Sequence, residues 1–208
     1  MPTEREIKID LVRRGRYERL LRFLGEPDKV INQINFFFDT DDWALSRAGW
    51  ALRIRRENDS YRMTAKGRRE TGDIRIAVRP EHEIDLELGL AESIIDKGMK
   101  IGRLRELLDI DLTGIEDKDR LEIKILFENE RRVYLHKTGL LELEIELDRT
   151  VFSDNSIAYE LEAEIGEKDS TAAIDAVEAL LIKLRIPVVY QSESKFARAL
   201  KKSGSKPT

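Results

Sequence analysis

Apolar and charged residues alternate with a period of two through much of this chain, the pattern of strands with one face turned to each side. In Glu4-Arg5-Glu6-Ile7-Lys8 the residues Glu4, Glu6 and Lys8 share one face, and Ile7, Ile9 and Leu11 the other. Further strands are expected at Val30–Thr40, Trp50–Arg56, Tyr61–Gly67, Arg79–Ile84, Arg120–Tyr134, Leu141–Asp148 and Tyr159–Ile165. Asn58-Asp59-Ser60 and Lys137-Thr138-Gly139 read as turns, and Pro80 predicts an edge or a bulge. Leu121, Ile123, Ile125 and Phe127 are expected on one face. Phe36, Phe37 and Phe38 cannot share a face, so that strand needs cover on both sides. Helical spacing predicts packing helices at Arg13–Leu24, at Leu86–Leu108 in two pieces broken near Gly98 and Gly102, and at Ser170–Leu184, begun by Asp169 or Ser170. A short helix is expected over Ser192–Leu200, followed by a frayed tail from Lys201 to Thr208.

The charged faces are sorted by sign. Acids mark the first, fifth, seventh and eighth strands, with Glu142, Glu144, Glu146 and Asp148 on one and Glu160, Glu162 and Glu164 on the next. Bases mark the third, fourth and sixth, where Arg53 and Arg55 share a face and Arg62 and Lys66 another. Taken alone, the face of Glu4, Glu6 and Lys8 has two readings: a solvated edge strand, or carboxylates around a divalent cation with an anion beside Lys8. One assumption accounts for the sorting of all the strands. The sheet closes into an antiparallel barrel with its charged faces inward and its apolar faces under the helices, so that acids hold metal and bases hold a polyanion.

Composition narrows the partners. In 208 residues, 37 Lys and Arg nearly balance 41 Asp and Glu, for a net charge of −4, so no basic field recommends nucleic acid. The lack of cysteine excludes disulfides, thiolate zinc sites and cysteine nucleophiles, and fits a reducing cytoplasm. Met1-Pro2-Thr3-Glu4 has no signal-peptide run, and no segment is apolar for long enough to span a bilayer, which predicts a soluble cytoplasmic protein. One domain over 1–200 is expected, and a homodimer is compatible with the sequence.

Glu4-Arg5-Glu6-Ile7-Lys8 resembles the ExExK signature of the triphosphate tunnel metalloenzymes, the CYTH superfamily. Its companions follow in order: Phe37-Phe38-Asp39-Thr40, Leu52-Arg53-Ile54-Arg55, Thr64-Ala65-Lys66, Arg79-Pro80-Glu81-His82-Glu83, Arg131, Asp148, Glu160-Leu161-Glu162 and Ser194-Lys195-Phe196. The resemblance implies an α+β fold, a closed eight-stranded antiparallel β-barrel with helices outside. It also implies a small-molecule triphosphate substrate and Mg²⁺ or Mn²⁺. By position, Lys8, Arg53, Arg55, Lys66, Arg131 and Lys195 would neutralise the phosphates, and Glu4, Glu6, Asp148, Glu160 and Glu162 would bind metal. Glu81 and Glu83 would stand near a second metal or its water and join Lys8, Arg53 and Arg55 in catalysis.

Within that family the segments 127–134 and 193–198 look closest to the tripolyphosphatases, which makes inorganic triphosphate the expected substrate. Adenylate cyclisation of the class IV type, thiamine triphosphate hydrolysis and non-catalytic polyphosphate binding are the alternatives. Trp43 and Trp50 read as packing, His82 and His136 as surface or hydrogen-bonded residues, and Asp39 as structural. The alternation does not decide which of Glu142, Glu144, Glu146 and Glu164 reach the tunnel centre.

Overall fold

The structure, a computed structural model, describes residues 3–70, 72–138, 141–166 and 169–204. Its elements in chain order are β1 (Thr3–Asp10), α1 (Arg14–Leu24), β2 (Lys29–Asp39), α2 (Ala44–Ala48), β3 (Ala51–Glu57), β4 (Ser60–Lys66), β5 (Ile76–Leu86), α3 (Leu88–Lys97), β6 (Met99–Lys100), α4 (Ile101–Leu107), β7 (Arg120–Thr138), β8 (Leu141–Phe152), β9 (Ile157–Glu164), α5 (Ser170–Lys183) and α6 (Lys195–Ser203). Eight strands pair antiparallel in the order β2-β3-β4-β5-β1-β9-β8-β7, and β2 pairs with β7 to close the barrel. The two-residue β6 hangs on the outside of β7.

The apolar faces point outward and are covered. Ile7, Ile9, Ile145, Leu147 and Leu161 of β1, β8 and β9 pack against Leu20 of α1 and Ile174, Val177 and Leu181 of α5. On the other side Leu52, Ile54 and Met63 of β3 and β4 meet Leu45, Ile94 and Leu104 of α2, α3 and α4. Each wholly buried aliphatic side chain of this kind contributes ~2 kcal/mol, which ties the helices to the outside of the wall. The third cluster lies inside. Phe37, Ile125, Phe127 and Phe152 pack with Phe196, Ala199 and Leu200 of α6 and form an apolar end to the barrel interior. The three adjacent phenylalanines therefore divide as expected, Phe37 inward and Phe36 and Phe38 outward.

Several expectations need correction. At Phe37 and Phe38 the β2–β7 register slips, Phe37 facing Ile125 and Phe38 facing Ile123, so Lys124 is an extra residue in β7. The bulge turns the alternation over. Leu121 and Ile123 go to the outer core, Ile125 and Phe127 to the inner one, and the four do not share a face. Pro80 lies neither on an edge nor at a bulge. Pairing of β5 passes there from β4, reached through Glu81–Leu86, to β1, reached through Ile76–Pro80. β7 continues to Thr138, through part of the expected turn, and Gly139 lies outside the described residues. α6 runs to Ser203, past the expected start of the tail, and 205–208 lie outside the described residues. Asp169 caps α5 by accepting from the Thr171 and Ala172 N–H groups. No described helix is long and apolar enough to cross a membrane.

α2 was not legible in the sequence, and Asp39 explains it. Its carboxylate accepts from the N–H groups of Thr40, Leu45 and Ser46 and from Ser46 Oγ, tying the end of β2 to the short helix. Asp39 is 1% exposed, so truncation leaves buried donors unmet. Asp39→Ala should cost ~3 kcal/mol, read as a lowered denaturation midpoint. A change of no more than about 0.5 kcal/mol would show the cap to be incidental.

Candidate active site

The inward faces enclose a cavity of about 570 Å³. Ten of the thirteen expected site residues line it: Glu4, Lys8, Arg53, Arg55, Lys66, Glu81, Glu83, Arg131, Glu162 and Lys195. Glu6, Asp148 and Glu160 are not among the lining residues; each is at most 1% exposed and shares a strand face with one that is, Glu6 with Glu4 and Lys8, Asp148 with Glu146, and Glu160 with Glu162.

The two sides of the cavity differ in charge balance. On β3 the buried Arg53 donates from Nη2 to Thr64 Oγ1 at 3.2 Å and forms no ion pair with a described carboxylate. Burial, and then the neighbouring Arg55, lowers the Arg53 guanidinium to about 9. Arg55 donates from Nε to Asn35 Oδ1 at 3.0 Å and meets Glu57 at 3.4 Å. Two adjacent guanidiniums, the buried Arg53 without a described carboxylate partner and the half-buried Arg55 with one, are complementary to a polyanion, to which each can present a fork of donors.

Across the cavity, cations and carboxylates interlock. Arg131 grips Asp148 through two bonds of 2.8 and 2.7 Å, reaches Glu162 at 2.6 Å and also pairs with Glu146. Lys195, projecting from the first turn of α6, meets Asp148 at 2.7 Å, Glu160 at 3.1 Å and Glu162 at 2.6 Å. Lys8 lies 2.9 Å from Glu6 and 3.0 Å from Glu162. Lys66 joins Glu4 to Glu81, the latter at 3.1 Å. Burial pushes the Asp148 carboxyl up, but Arg131 and Lys195 outweigh it and hold the group ionised far below the usual range. Glu4 behaves alike: burial raises it, yet Lys66, Lys8 and Arg79 bring it to about 2.

One group of acids fits a metal ion. Ligand oxygens of Glu4, Glu6 and Glu164 lie within 4.8 Å of one another. Glu4 Oε2 and Glu6 Oε1 are buried and accept no hydrogen bond from the described residues, the Lys8 ammonium near Glu6 lying off the bonding angle. Three hard, convergent oxygens suit Mg²⁺ or Mn²⁺, both of which favour oxygen ligands. Glu164 is the member the alternation left undecided. Pairing decides it, since β1 and β9 set Glu6 opposite Glu164 and Lys8 opposite Glu162. Burial, then Glu6, Glu4, Glu146 and Glu162, pushes Glu164 up to about 9. Asp148, Glu160 and Glu162, the other expected ligands, form ion pairs with Arg131, Lys195, Lys8 and Arg198.

The other undecided acids separate by depth. Glu144 and Glu146 line the cavity, whereas Glu142 is exposed and pairs with Lys137 at 3.0 Å. Sequence reasoning passed over three uncharged lining residues, Gln33, Asn35 and Asn129. For Gln33 and Asn35 the signal was weak but present, two polar amides at alternate positions of β2 with Ile34 and Phe36 between and after them; Asn129, between Glu128 and Glu130 on β7, gave none. Trp43 belongs to the apolar end, and Trp50 bonds the Asp111 carbonyl at 2.9 Å with its ring edge-on to His82; neither lines the cavity.

A model of the CYTH domain matches residues 2–200. Among solved structures, the chain is similar to HpAC1 of Hippeastrum, proposed as an adenylyl cyclase and described as having a dominant triphosphatase activity. That likeness has a TM-score of 0.82 at 27% identity and covers 98% of this chain and 97% of that one. A candidate adenylate cyclase of Bacillus halodurans gives a TM-score of 0.67 at 22% identity, over 95% of this chain and 98% of that one. A Pyrococcus horikoshii protein gives 0.60 at 20% identity, over 97% and 99%. The last two share the fold. No curated protein sequence matches the chain.

Proposed function

The chain belongs to the CYTH domain family, and on that premise we propose that it is a divalent-metal-dependent triphosphatase, cleaving inorganic triphosphate to pyrophosphate and phosphate. The observation that carries this reading is the meeting, around one cavity, of Arg53, which has no described carboxylate partner, and the neighbouring Arg55 with the convergent carboxylates of Glu4, Glu6 and Glu164, of which Glu4 and Glu164 line the cavity. The dominant triphosphatase activity described for HpAC1 supports the same class of reaction.

In the proposed mechanism Arg53 and Arg55 bind the phosphate chain by paired N–H donors, with Lys66 and Arg131 adding charge from neighbouring walls. Water attacks the terminal phosphorus in line with the bridging oxygen that departs on pyrophosphate. Glu81, whose carboxyl burial pushes up, takes the proton of that water, and Glu83 beside it fixes Thr64 at 3.0 Å. Lys8, Arg53 and Arg55 stabilise the charge that builds on the leaving oxygen and the transferred group. Asp148, Glu160 and Glu162 hold Arg131 and Lys195 at the wall. Mg²⁺ or Mn²⁺, bound at Glu4, Glu6 and Glu164, would neutralise phosphate oxygens and act as a Lewis acid.

The test is phosphate release from inorganic triphosphate, ATP and thiamine triphosphate in parallel, with Mg²⁺ or Mn²⁺ and with chelator. Metal-dependent release from inorganic triphosphate far above the other two is expected. A second reading, cyclisation of ATP, draws on the cyclase descriptions of HpAC1 and the Bacillus protein, and cyclic AMP in the ATP sample would favour it. Thermal stabilisation by triphosphate without release would leave a binding module.

A further inference from the structure

Gln33, Asn35 and Asn129 line the cavity among the charged groups, and none is more than 3% exposed. Two of them form a closed chain. Thr150 Oγ1 donates to Asn129 Oδ1 at 2.8 Å, Asn129 Nδ2 to Gln33 Oε1 at 3.0 Å, and Gln33 Nε2 to Glu57 Oε1 at 2.8 Å. Glu57, when ionised, can only accept, so its position fixes the orientation of both amides. Asn35 differs. Its Oδ1 accepts from Arg55 Nε at 3.0 Å, and a guanidinium has no acceptor, so the amide cannot be flipped. Its Nδ2 is therefore turned away from Arg55, and it is buried without a hydrogen-bond partner among the described residues. Buried donors lacking acceptors are rare in native proteins and call for an explanation.

The position of Asn35 supplies one. On β2 it stands between Gln33 and Phe37, paired with Arg55 on β3 and with Phe127 on β7. Phe37, Phe127 and Phe196 form the apolar end, with Phe37 stacked on Phe196 at 4.8 Å between ring centres. Asn35 is thus the polar group next to that end on β2.

We propose that Asn35 is a substrate-binding residue whose Nδ2 donates to an anionic oxygen of the phosphate that penetrates deepest into the cavity. The inference rests on the reading of this cavity as a triphosphate site. Beyond Asn35 the lining turns apolar, and Phe37, Phe127 and Phe196 offer a phosphate no hydrogen-bond donor, so the phosphate received there is the one at the end of the chain. Arg55 has two tasks: it binds the anion and orients the amide beside it.

The test compares Asn35→Ala and Asn35→Asp by kcat/KM for inorganic triphosphate with Mg²⁺, by equilibrium binding of triphosphate in chelator, and by melting temperature. Asn35→Ala should lose roughly tenfold in affinity. Asn35→Asp keeps an acceptor for Arg55 but turns a carboxylate oxygen toward the anion, and should lose on the order of a hundredfold while melting no lower than wild type. If Asn35 served only to orient Arg55, aspartate would do as well or better, and wild-type affinity in Asn35→Asp overturns the proposal. Wild-type protein that neither binds nor cleaves triphosphate removes the reading of the cavity itself, and this inference with it. Intact wild-type binding with both variants unaffected removes the role of Asn35 alone.

Discussion

Arg53→Ala loses at least ~10³-fold in phosphate release from inorganic triphosphate, the scale on which an arginine stabilising phosphoryl-transfer charge acts. Its stability is expected to hold or rise. The guanidinium is buried, it repels Arg55, and among the described residues it has no carboxylate partner, so its removal relieves the ligand-free fold. Glu4→Gln should be similarly inactive, with the opposite effect on stability. The Glu4 carboxyl lies at about 2 in the fold against an ordinary value of 4.5, a difference worth ~3 kcal/mol. Because the folded value is the lower one, that contribution is full above pH 4.5 and is lost as pH falls through about 2. At neutral pH Glu4→Gln should therefore melt earlier than wild type while still folding. Near-normal turnover in both variants would sink the assignment of this cavity as the active site.

Mg²⁺ affinity climbs with pH, by up to ~tenfold per unit for each proton released on binding, as long as the metal must displace that proton. The proton in question is on Glu164, which burial and the surrounding carboxylates raise to about 9. For a carboxyl raised in this way the folded state takes up protons that the unfolded chain does not. Metal-free protein should therefore lose stability as pH rises from about 4.5 toward about 9, and added Mg²⁺ should restore it. Calorimetry in buffers of different ionisation enthalpy counts the released protons, and Glu164→Gln should flatten the dependence. An affinity independent of pH between 6 and 9, in wild type, would remove Glu164 from the metal site.

The sequence carried the barrel because its alternation is strict where one face is apolar and the other charged, as in Leu141 to Asp148. It carried most of the cavity for the same reason: Arg53 with Arg55, or Glu4 with Glu6, share a face whatever the neighbouring strand. What period two cannot give is height. Glu160, Glu162 and Glu164 are equivalent along β9, and only the pairing of Glu6 with Glu164 separates the carboxylate that converges with Glu4 and Glu6 from two that hold cations. The bulge at Lys124 was equally hidden, since Leu121, Ile123, Ile125 and Phe127 alternate evenly through it. α2 is five residues long, enters through a left-handed Trp43 and depends on the Asp39 side chain, too short and too tertiary for a periodic signal. Asn35 escaped notice because an amide carries no charge to be sorted.

β1 is the first strand in the chain, and it is seated between β5 and β9. During synthesis it can pair on one side once β5 has emerged, but its other edge has no partner until β9 is made. Glu6 and Lys8 meet Glu164 and Glu162 across about three quarters of the sequence. Contacts of such long range are slow to form, because the loop entropy of the intervening chain is lost before they repay it. The nascent chain must therefore carry an open strand edge and an acidic face until β9 is made, and the arrival of β9 both completes the barrel and brings Glu164 to Glu4 and Glu6.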